Sequence, residues 1–167
     1  MDDSKEKTPP STVPLRTPPL RPQLADCRWE GVEPMQYKQE GSAPFKDITR
    51  QVLFDDPSLA AQVRYFEMQP GGYSTLERHE HMHAVMILRG GGRCLVGDKV
   101  IEVAEHDLIH IPAMTWHQFR ATDTEPLGFL CVVNARRDRP QLPKAQDIRD
   151  LASNPVVAAF LEISFPP

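Results

Sequence analysis

Between about residue 50 and residue 135 the chain is written in short apolar runs broken by Gly, Pro, Asp or Asn. "QVRYFEM" stops at Pro70-Gly71-Gly72, and "AVMIL" ends, past Arg89, at Gly90-Gly91-Gly92. "RCLV" and "KVIEV" flank Gly97-Asp98, a two-residue hairpin loop with Gly where a positive φ is needed. "LIHI" ends at Pro112, "WHQFRA" before Asp123, and "LGFLCVV" at Asn134. Short strands joined mostly by tight turns predict an all-β fold, an antiparallel β-barrel or jelly roll. The period changes after residue 140. Ile148, Leu151 and Ala152 fall at i, i+3 and i+4, and "SNPVVAAFLE" opens with an Asn cap followed by Pro at the first helical position. Short C-terminal helices are predicted between 144 and 162.

The start of the chain differs. Residues 1–25 hold six prolines and few large apolar side chains. Such a segment cannot bury enough surface to offset the entropy of ordering it, so a disordered, Pro-rich N-terminal arm is expected over 1–25. Residues 26–167 then carry one domain, with no internal repeat.

Composition narrows the function. In 167 residues with a net charge of −4, nothing suggests the clustered Lys and Arg that a nucleic-acid backbone requires. No stretch is long and apolar enough for a membrane span, and "MDDSKEKTPP" lacks the apolar region of a signal peptide. Three scattered cysteines without a Cys-x-x-Cys pair imply free thiols and a cytoplasmic setting. Cys94 and Cys131, inside apolar runs, read as small buried hydrophobes.

The candidate chemistry is concentrated in histidines. All six lie between positions 79 and 117, and residues 75–85 read "TLERHEHMHAV". Clustered His and acidic residues are the mark of metal sites. On a helix, His79-Glu80-x-x-His83 would be a zinc-metalloprotease motif with Glu80 as general base. On a strand, alternate residues would share one face. The flanking "PGGYST" and "RGGGR" leave little room for a helix and favour the strand.

In the strand reading the chain resembles the cupin superfamily. The first cupin motif runs Gly, five residues, His, one, His, three or four, Glu, six, Gly. Gly71, Glu77, His79, His83 and Gly90 close that register, with Glu77 where the family usually has His and His83 at the later, commonly acidic, position. The second motif is matched in part by Pro112 and His117, while His106, Met114 and Ala121 depart from it. The resemblance covers about residues 62–133. It implies one divalent transition metal ion (Fe, Mn, Ni, Cu or Zn) held by Glu77, His79, His83 and His117, with His81 the other candidate for the place of Glu77. Otherwise His81 is an acid–base group or an exposed turn residue.

On that reading Phe119 shares the inner face with His117 and, with Tyr73, walls a pocket, while Met86 and Phe129 pack in the core. His106 falls in a turn, and His110 is an interior polar residue or a hydrogen-bond partner of a ligand. The implied function is a metal-dependent enzyme for a small organic molecule, an oxidoreductase of dioxygenase type ahead of a lyase or isomerase. A non-catalytic sensor or binding module is the alternative from another class. A small-molecule substrate and a homodimer are the implied partners.

Overall fold

The computed structural model describes residues 18–162; residues 1–17 of the expected arm, and 163–167, lie outside the described residues. The chain divides into two units, Met1–Gly31 and Val32–Pro167. In the first, β1 (Gln23–Leu24) pairs antiparallel with β2 (Arg28–Trp29), and Asp26 and Cys27 turn the chain with φ of 59° and 49°. The 25/26 boundary read from composition falls inside this hairpin.

The second unit is a curled, antiparallel nine-stranded sheet followed by two helices. Its strands are β3 (Met35–Gln36), β4 (Lys46–Phe54), β5 (Ala61–Tyr73), β6 (His83–Gly90), β7 (Gly92–Val96), β8 (Lys99–Val103), β9 (Leu108–Ile111), β10 (His117–Ala121) and β11 (Leu127–Asn134). The order along the sheet is β8-β7-β10-β5-β11-β6-β9, with β4 on β5 and β3 on β4. The antiparallel barrel-like class expected from the runs is what forms. Gly97 takes φ of 66° as the first central residue of the β7–β8 loop, as its place in that turn requires.

One strand departs from the sequence reading. Pro70-Gly71-Gly72 does not end β5 but bends it. Residues 61–68 pair with β11, whereas Tyr73 pairs with Arg120 of β10. Pro70 lacks an N–H for a ladder, and Gly71 turns the backbone at φ of 71° while its N–H reaches Thr122 O at 2.7 Å. This corner curls the sheet and brings β10 round to the face that carries β5 and β11.

Alternation along the strands sends Phe66, Met68, Ile87, Phe119, Phe129 and Cys131 into one buried core. Met86 stands out of phase with Ile87 and is half-buried outside that core. The helices α1 (Ala145–Ala152) and α2 (Pro155–Phe160) form as predicted, and Asn154 Oδ1 accepts the Val156 N–H at 3.0 Å. Val157 and Phe160 pack with Leu76 and Leu95 in a second, smaller cluster. Among the described residues no helix is long and apolar enough to cross a membrane.

Candidate metal centre

Residues 77–83 are not helical: Glu77 and Arg78 form isolated bridges, the chain bends at Glu80 and His81, and β6 begins at His83. Glu77 bridges antiparallel to His117: its N–H donates to His117 O at 3.2 Å, and the His117 N–H donates back at 3.0 Å. The zinc-protease reading therefore fails. No helical turn sets His79 above His83, and Glu80 is exposed, with its N–H bound to Asp138 Oδ2 at 3.0 Å.

His79, His81 and His83 are nevertheless all buried, with their rings stacked on one another. The Glu77–His117 bridge lays the start of β10 beside them. His79, His83 and His117 each offer a ring nitrogen, and these atoms lie within 4.8 Å of one another. His117 Nδ1 donates to Thr115 O at 2.9 Å, which leaves Nε2 as a lone-pair donor. His83 Nδ1 lies 3.3 Å from Cys131 Sγ, while its buried Nε2 meets no hydrogen-bond partner. A buried polar nitrogen without a partner, beside two further imidazoles, is what a cation site leaves when its cation is left out of account.

The electrostatics agree. Burial, with His79 and the charge of Lys38 adding, pushes the His117 imidazole down to about 4 despite the Thr115 carbonyl and Glu77. Burial and the neighbouring His117 hold His83 far below the ordinary imidazole range. Both rings are neutral at physiological pH, the form that binds metal. Burial alone would raise the Glu77 carboxyl, but its bond with His79 and the charge of Lys38 hold it below the usual range.

Glu77 Oε1 is 3.7 Å from His79 Nε2, and Oε2 is paired with Lys38. His81 stacks on His79 with ring centroids 4.2 Å apart, but its Nδ1 is engaged by Asp138 Oδ1 at 2.8 Å. Burial lowers the His81 pKa, and Asp138 opposes the shift. Thus three of the four expected ligands converge, with a carboxylate oxygen of the fourth at their edge. Imidazole nitrogens with one carboxylate suit a divalent first-row transition ion, and His79, His83 and His117 are the residues that would hold it.

These groups open on a cavity of about 220 Å³, small beside the roughly 300–1,000 Å³ of sites for drug-sized ligands. Phe119 lines it as expected, its ring stacked on Phe129 at 4.3 Å, so Phe129 is wall as well as core. Tyr73 does not line it. Beyond the β5 bend Ser74 takes the inward position and accepts the Phe119 N–H at 2.9 Å, while Tyr73 lies under the Arg120 guanidinium, 5.1 Å from the ring centroid. His110 is exposed rather than interior, because β9 turns Ile109 and Ile111 inward, and His106 is an exposed turn residue with φ of 74°.

Several lining residues escaped the sequence reading: Lys38, Arg50, Arg64, Cys131, Arg137 and Asp138. For Arg50 and Arg64 a signal existed, a cation at the inward phase of an otherwise apolar strand. Lys38, Arg137 and Asp138 come from irregular segments without a pattern. Cys131 is buried as expected, but it faces the cavity. Burial raises its thiol pKa to about 11, against the pull of Arg64 beside it.

A curled antiparallel sheet with three buried imidazoles converging on its inner face, an arrangement compatible with a metal ion, defines a β-barrel of the cupin class. The chain belongs to the cupin superfamily: the family described as Cupin domain matches residues 64–133. The chain is 56% identical over 144 residues to 1-methylthio-D-xylulose 5-phosphate methylsulfurylase of Rhodospirillum rubrum, covering 86% of this chain and 92% of that protein. Among solved structures it is similar to a cupin 2 conserved barrel domain protein from Rhodopseudomonas palustris, with 60% identity, a TM-score of 0.81 and coverage of 84% of this chain and 97% of that one. A cupin-2 domain from Rhodospirillum rubrum gives 55% identity, a TM-score of 0.78 and coverage of 86% and 97%.

Proposed function

We propose that this chain cleaves the methylthio group from a 1-methylthio ketose 5-phosphate, with a cysteine as the sulfur acceptor. The observation that carries the reading is the position of Cys131: its Sγ is 3.3 Å from His83 Nδ1, inside the cavity that the three histidines face. The similarity to the Rhodospirillum rubrum methylsulfurylase supplies the substrate class. His79, His83 and His117 would hold a divalent ion, which would supply Lewis-acid polarisation of the substrate ketone.

The chain's own groups do the rest. Cys131 Sγ attacks the methylthio sulfur; the Sγ–S bond forms and the C1–S bond breaks. The electron pair passes into the C1–C2–O system as an enolate, and C1 takes up a proton that balances the one lost by the thiol. The ketone next to C1 is what makes carbon a tolerable leaving group. An external thiol then attacks the Cys131 disulfide, leaves with the methylthio group, and returns the cysteine to its thiol form. Were His83 to hold the ion through Nε2, its Nδ1 would carry hydrogen toward Sγ; burial raises the Cys131 thiol to about 11, and the charge and hydrogen bond of Arg64 pull it back toward the thiolate. Phe119 and Phe129 keep water from the enolate until C1 is protonated. This reading keeps the metal-dependent small-molecule enzyme implied by the family resemblance but not its dioxygenase chemistry: thiol sulfur is oxidised to a disulfide while substrate C1 is reduced, and dioxygen takes no part.

The test is incubation of metal-loaded protein with 1-methylthio-D-xylulose 5-phosphate and dithiothreitol, followed by proton NMR. Wild type converts the C1 methylene into a methyl group. Cys131→Ser does not, and wild type held without thiol carries one methylthio group on Cys131 by intact mass. Full activity in Cys131→Ser, or an inert wild type, overturns the reading.

A further inference from the structure

Two strands of the cavity wall carry arginines where alternation calls for apolar side chains. On β4, Arg50 shares the inward phase of Ile48; on β5, Arg64 shares that of Phe66 and Met68. The register sets Arg50 opposite Phe66 and Val52 opposite Arg64, so the two arginines are diagonal neighbours on one face. Arg137, from the segment after β11, lines the same cavity.

A guanidinium aimed into a barrel is costly unless something answers its N–H groups. Here Nε of Arg50 and Nε of Arg64 are buried and meet no acceptor. The two carboxylates of the lining are engaged elsewhere, Glu77 with Lys38 and Asp138 with His81 and the Glu80 N–H. The arginines also strain one another. Burial and then the adjacent Arg64 push the Arg50 guanidinium down, and the same two causes, with Asp55 opposing, act on Arg137. Three repelling cations around a small cavity, two of them with idle buried donors, constitute a receptor for a compact dianion.

The geometry points to Arg50, Arg64 and Arg137 as the subsite for the phosphate monoester of the substrate. A phosphate offers three equivalent oxygens, and each planar guanidinium can pair two N–H groups with them. The assignment rests on the proposed substrate class for the sugar that follows the phosphate, but the arginine cluster itself calls only for the anion. It also orients the sugar: Arg64 lies directly across the β5–β11 ladder from Cys131, so a ligand anchored on the arginines extends toward the thiol and the histidines.

The experiment is titration calorimetry on the metal-loaded protein with D-ribose 5-phosphate and inorganic phosphate, and with D-ribose as control. Wild type binds both phosphates and not D-ribose. Arg50→Met and Arg137→Met each weaken both by about tenfold or more, the scale of one lost charge-assisted contact, and Arg50→Lys recovers part. His117→Ala, titrated beside metal-stripped wild type, keeps that protein's phosphate affinity. Because Arg137 is exposed, its variant folds and reports even if Arg50→Met does not. No phosphate binding in wild type, unchanged affinity in both Met variants, or loss confined to His117→Ala overturns the subsite. A wild type that binds phosphate through the arginines but leaves the methylthio sugar intact overturns the proposed reaction and leaves the subsite standing. Turnover of that sugar with unchanged KM in both Met variants does the reverse.

Discussion

His81 Nδ1 lies 2.8 Å from Asp138 Oδ1, and the other oxygen of the same carboxylate accepts the Glu80 N–H at 3.0 Å. One side chain thus pins both the ring and the backbone of the bend between His79 and His83. Its bonds go to the bend and not to the converging nitrogens. Asp138→Ala should therefore leave metal content near that of wild type while lowering kcat about ten- to a hundredfold, as the bend and the His81 ring lose their anchor. His81→Ala should also keep its metal. Metal analysis alongside kinetics checks both; a metal-free His81→Ala would make His81 a ligand.

Removing the nitrogens themselves has a different outcome. His79→Ala, His83→Ala and His117→Ala should each lose nearly all metal, since the three nitrogens lie close enough together to hold one ion jointly. Glu77→Gln keeps the shape but gives up the charge beside His79 and the ion pair with Lys38, and should weaken metal affinity about 10–100-fold. Competition against a chromophoric chelator measures the series. Equal loss in all four variants would place Glu77 in the chelate on the same footing as the histidines.

The barrel and its three histidines were legible because both signals are local. Strand runs and turn residues are read within a few positions, and His79 and His83 lie on one short stretch. Tyr73 was misjudged because alternation cannot be carried through a bend such as Pro70-Gly71-Gly72, where the strand changes partners. Cys131 looked like an apolar filler because its role depends on which strand faces it, a property of the ladder with β6 and not of its neighbours in sequence. Lys38 and Asp138 reach the site across 39 and 57 positions, from their bonds with Glu77 and His81, through segments without periodicity. The alternation along β4 and β5 did contain Arg50 and Arg64, as cations in an inward phase, and such breaches of pattern collect at functional sites.

The sheet has a tight point away from the metal. A Cβ on Gly128 would stand 1.9 Å from the Tyr65 hydroxyl, whose oxygen is held 2.8 Å from Glu67 Oε2. Tyr65 is fully buried and cannot swing clear. Gly128→Ala should cost about 1–3 kcal/mol, the range for overpacking. In a Tyr65→Phe background the cost should fall, because the nearest clashing atom is gone. Urea unfolding of the four proteins gives the coupling; additivity would show that the hydroxyl is not the obstacle.

The neutral imidazoles set a pH dependence for the metal-free protein. His117 is held at about 4 in the folded chain, while an unfolded histidine titrates near about 6.5. Below about pH 6.5 the unfolded chain takes up a proton that the folded chain refuses until about pH 4, so stability falls as pH drops through that window and is level above it. At about 1.4 kcal/mol per unit, His117 alone accounts for about 3 kcal/mol, and His83 acts in the same direction. Urea midpoints of metal-stripped protein from pH 7.5 to pH 4.5 should decline accordingly. His117→Asn should reduce the decline to the share that His83 contributes. A midpoint independent of pH over that range would mean that the rings are open to water, and the enclosed three-imidazole site would go with it.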